Sequence, residues 1–71
     1  MNFDIEEQDK LAIQASQLRG INNEIYNATL TKRVALQTED KELSDRSQKI
    51  LESLLKKKDA LEKIIAEDNA S

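Results

Sequence analysis

The side chains in this chain that are able to do chemistry are carboxylates, amines and hydroxyls. None of the 71 residues is a His or a Cys. Ser16, Ser44, Ser47 and Ser53 therefore have no imidazole or thiolate to work with, and no nucleophile–base pair can be assembled. Asp4, Glu6, Glu7 and Asp9 form an acidic cluster. As a cation site it lacks the Gly turn and alternating oxygen ligands of a calcium loop. It reads instead as a solvated first helical turn, where the macrodipole favours carboxylates. Lys56-Lys57-Lys58 is the longest basic run, but Glu52, Asp59 and Glu62 neutralise its neighbourhood. A nucleic acid or an anionic membrane would call for Arg and aromatics beside it, or a longer run. The single glycine, Gly20, cannot build a phosphate-cradling loop. No catalytic, cofactor-binding or metal-binding residue is assigned, and the chain is not expected to be an enzyme.

The elements that carry these residues read as helices. There is no Pro, one Gly and one Val, against many Leu, Ala, Lys, Glu and Gln, which lose least on entering a helix. In the second half, Leu43, Ile50, Leu54, Leu61 and Ile64 form a heptad stripe, with Ser47 and Lys57 in its gaps. Acid-before-base pairs four apart line the other side: Glu42 with Arg46, Asp45 with Lys49, Glu52 with Lys56, and Asp59 with Lys63. Both patterns predict a helix over about 39–67, capped by Thr38 and followed by a frayed tail at 67–71.

The first half predicts a helix over about 4–36. Asp4 and Glu7 resemble a capping box, and Phe3 precedes them as a hydrophobic staple. Leu11, Leu18 and Ile25 repeat every seven residues, and Leu36 lies in a second phase. Gly20 could end a short helix, but the stripe runs unshifted from Leu18 to Ile25, which favours one long helix. Asn22, Asn23 and Asn27 read as exposed residues of a weaker helical stretch, with Asn22 the best placed to act as a polar seam residue.

Two architectures follow. A single helix through residue 67 would be about 95 Å long and would have to form a coiled coil with a stutter near residue 30. If the chain instead folds back at 39–40, positions summing to 79 meet: Leu36 with Leu43, Ile25 with Leu54, Leu18 with Leu61, Ala15 with Ile64, Lys32 with Ser47, and Asn22 with Lys57. The polar stretch 37–41 favours the fold-back. We therefore expect an all-α protein, one long antiparallel αα-hairpin that assembles as a helical bundle.

A lone two-helix layer leaves its seam open on both sides. A second apolar set lies off the seam: Ile13, Leu30 and Val34 on the first helix, and Leu51, Leu55 and Ile65 on the second. Tyr26 sits beside them as an amphipathic anchor. These residues are the expected partner surface, and a two-fold dimer of hairpins is the simplest closed assembly.

The expected function is that of a small scaffold, adaptor or assembly subunit. The rival is a regulator that docks on a larger protein through its acidic first turn. A net charge of −3 disfavours nucleic acid. No stretch nears the roughly 20 apolar residues of a membrane span, and the first residues lack the basic and apolar regions of a secretory signal. With no Cys, an intracellular, cytoplasmic setting is expected. The triplets Asn27-Ala28-Thr29 and Asn69-Ala70-Ser71 then match the glycosylation pattern by chance.

Overall fold

The computed structural model describes residues 6–70. It contains two helices, α1 (Glu7–Gln37) and α2 (Lys41–Asn69), packed against each other as a hairpin. The shape is a rod of 53 × 20 × 16 Å. Its radius of gyration is 16.4 Å, whereas a compact domain of this length would have about 11 Å. No helix among the described residues is long and apolar enough to cross a membrane.

α1 runs without interruption through Gly20. Its first residue is Glu7, three positions later than the spacing predicts, because Glu6 is extended (ψ 140°) and serves as the N-cap without a side-chain hydrogen bond. The expected staple at Phe3 and cap at Asp4 lie outside the described residues. α2 extends to Asn69, past the expected end at 67, and Ala70 N–H closes its last turn on the Glu67 carbonyl.

The turn corrects the expected capping. Thr38 does not cap α2. It is the C-cap of α1, and its Oγ1 donates back to the Val34 carbonyl at 2.9 Å. The Asp40 carboxylate caps α2 instead, accepting from Leu43 N–H at 3.1 Å. Between them Glu39 takes the left-handed conformation, φ 57°. Asp40 N–H then reaches the Ala35 carbonyl at 2.8 Å, and Glu39 N–H reaches that of Leu36 at 3.3 Å. These two bonds are the Schellman pattern that usually ends on Gly. Here three residues, 38–40, reverse the chain without one.

The interface between the helices follows a strict four–three spacing. Gln14, Leu18, Ile21, Ile25, Ala28, Lys32 and Ala35 line it on α1. Ser44, Ser47, Leu51, Leu54, Lys58, Leu61 and Ile65 line it on α2. Burial is deepest near the turn, where the small side chains Ala35 and Ser47 are fully enclosed, and Leu54 is 8% exposed. Polar contacts reinforce both ends. Lys32 Nζ donates to Gln48 Oε1 toward the turn. At the open end Gln14 and Asn69 exchange amide hydrogen bonds, and Lys10 meets Asp68.

Candidate functional site

The expected seam divides between the two helices' common interface and the outside. Leu18, Ile25, Leu54 and Leu61 lie buried or half-buried along the hairpin's own interface, with Ser47, while Leu43, on the row of Ile50, is half-buried. Leu11, Leu36, Ile50 and Ile64 stay outside: each is at least half exposed. The expected Leu36–Leu43 and Ala15–Ile64 matches therefore form no buried pairs, and Lys32 engages Gln48 rather than Ser47. On α2 the reason is register. The row Ser47, Leu54 and Leu61 points at α1, together with Leu51, Lys58 and Ile65. The row seven residues apart, Ile50, Lys57 and Ile64, turns outward.

The off-seam set divides as well. Leu51 and Ile65 are half-buried against α1. Ile13, Tyr26, Leu30, Val34 and Leu55 are exposed, from 39% at Leu30 to 61% at Tyr26. Tyr26, Leu30 and Val34 follow one another at four-residue spacing, on the side of α1 turned away from α2.

The hairpin has two broad faces, and they differ. One carries two open grooves in series. The first, about 330 Å³, is lined by Glu24, Asn27, Ala28 and Thr31 from α1 and by Ser47, Ile50 and Leu54 from α2. The second, about 280 Å³, is lined by Ser16, Gln17, Gly20, Ile21 and Glu24 with Leu61. Helical spacing places Ile13 beyond the second groove on α1, and Lys57 and Ile64 along it on α2. The opposite face carries Leu36, beside a smaller hollow shared with Ser44. Leu55 points to that side too, since five residues along α2 separate it from Ile50.

The charged features seen in the sequence do not converge. Lys58 is half-buried toward α1, while Lys56 and Lys57 are exposed. Successive helical residues point about 100° apart, so the three ammonium groups form no single basic patch. Of the four expected pairs, Asp59–Lys63 closes at 3.0 Å, and Glu52 instead accepts from Gln48 Nε2. Asp4 of the acidic cluster lies outside the described residues; Glu6, Glu7 and Asp9 are exposed. Asn22 and Asn23 are exposed, while Asn27 borders the first groove.

The signal for the groove face was present in the sequence as the seven-residue row Ile50, Lys57, Ile64. It merged there with the inward row, because a heptad stripe does not reveal which half of its width meets which neighbour. Comparison with known protein families, with curated proteins and with solved structures finds no match to this chain.

Proposed function

We propose that this hairpin works by association: a non-enzymatic structural or adaptor protein whose amphipathic helices bind another protein chain. One observation carries the reading. Ala35 and Leu54 are the only buried apolar residues among those described, while nine large apolar side chains stand exposed on the two helices. Scattered apolar surface is ordinary, but five of these residues fall in two rows at helical spacing. Two apolar rows, Ile50 and Ile64 beside the open grooves and Tyr26, Leu30 and Val34 on the back of α1, suit the packing of further helices better than the binding of a small molecule, which wants a concave site.

The test is the mass of the purified chain by light scattering at micromolar concentration, alone and with candidate partners. An assembly larger than one chain, or a stoichiometric complex, is the expected result. A stable, fully helical monomer that binds nothing would overturn the reading.

A further inference from the structure

We propose that the occupant of the groove face is a second copy of this chain, seated by a two-fold axis along the rod so that both turns lie at the same end. The proposal rests on the associative reading above and gives it a partner and a geometry.

The first argument is area. The chain exposes 5985 Å², about 1,500 Å² more than a folded monomer of 8.1 kDa ordinarily does. Two copies covering that excess bury about 3,000 Å² in total, inside the range of obligate homodimers. The excess on one chain is thus of the size that a stable homodimer covers.

The second argument is the match of the face to itself. Within one hairpin, α1 and α2 run antiparallel, so Ala28 shares a level with Ile50, and the register that sets Ile21 opposite Lys58 puts the Gly20–Glu24 turn level with Lys57. A two-fold along the rod sets α1 of one copy over α2 of the other at these same levels. Ile50 of each copy then enters the groove at Ala28 of its mate. Lys57 lies over the groove at Gly20 with its ammonium toward Glu24, and Ile64 meets Ile13. A side chain built on Gly20 would meet nothing within 4 Å inside the hairpin, so the room beside it is open to the lysine stem. The reverse arrangement, with turns at opposite ends, lays α2 on α2 and brings the two Lys57 residues toward each other near the axis. Charge thus selects the first arrangement.

Sedimentation equilibrium of the full chain tests this. The unaltered chain is expected to be a dimer. Glu24→Lys alone and Lys57→Glu alone each oppose like charges twice across the two-fold, and each is expected to weaken the dimer roughly tenfold. Mixing the two variants in equal amounts restores both pairs and recovers the affinity, because each chain supplies the charge its mate requires. A loss confined to hairpin stability does not recover on mixing. A dimeric parent whose mixed variants stay as weak as the separate ones overturns this geometry and leaves self-association standing. Dissociation of the dimer by Leu55→Asp, on the opposite face, overturns the geometry in the same way. A parent that is a stable helical monomer, with or without other partners, overturns the proposed second copy. If it also binds no other protein, the associative reading falls with it.

Discussion

Lys10 Nζ lies 3.4 Å from Asp68 Oδ2, and the same ammonium donates to the Asp68 carbonyl at 3.0 Å, across 58 residues of sequence. That contact distinguishes a hairpin from one continuous helix, in which the two residues would be about 87 Å apart. It is also a weak bond, because the Asp68 side chain is 60% exposed. Lys10→Ala is expected to lower global stability by no more than about 0.5 kcal/mol. Its effect should appear as faster amide exchange confined to the first turn of α1 and the last of α2; a large drop in overall stability would show that the open end is more firmly locked than the geometry indicates.

Glu39 occupies a left-handed position that glycine adopts without steric cost. Glu39→Gly should stabilise the hairpin by about 0.5–1 kcal/mol, the relief of strain being partly offset by the greater freedom of the unfolded chain. Urea denaturation at fixed protein concentration measures it. Destabilisation would mean that the Glu39 side chain contributes more than its conformation costs.

The capping assignment separates two neighbouring polar residues. Asp40→Ala removes the acceptor for Leu43 N–H and should cost about 1 kcal/mol. Thr38→Ala removes only a hydroxyl that bonds back into α1 and should cost less. Equal losses in parallel thermal melts would contradict the cap seen at Asp40.

Among the described residues, Leu54 is the one large apolar side chain buried between the helices. Leu54→Ala is expected to cost about 2–3 kcal/mol, against a few tenths for Leu30→Ala on the outward row of α1. Denaturation midpoints of the two variants should therefore differ widely. If they coincide, the hairpin's own interface is not its main source of stability.

Gly20→Ala should stabilise α1 by up to about 1 kcal/mol through helix propensity alone, because an added methyl meets nothing within 4 Å. The adjoining groove is large enough to take it. Thermal denaturation followed by circular dichroism is the measurement, and a loss of stability would reveal a close neighbour that a single chain does not show.

Both helices, their continuity through Gly20 and the reversal near residue 39 were legible from composition and heptad spacing. The turn's detail was not. Thr38 and Asp40 are both competent caps, and the choice between them depends on where α1 stops, which a Schellman closure without Gly does not advertise. The same limit divided the candidate surface. Leu54 and Leu61 were readable as interface, but Ile50 and Ile64 shared their stripe. Only the rotation of α2 against α1 shows that Ile50 and Ile64 are left outside. Lys57 and Lys58 are adjacent in sequence, and a rotation of one residue decides which of them faces α1.

The three-residue reversal has a kinetic consequence. It brings Ala35 and Ser44, which line one hollow, together by closing a very short loop, and every later contact between the helices extends from one already made. The chain should therefore close like a zipper from the turn outward, quickly and with its open end last. Unfolding should retrace that path, with Lys10 and Asp68 parting long before Ala35 and Ser44 do.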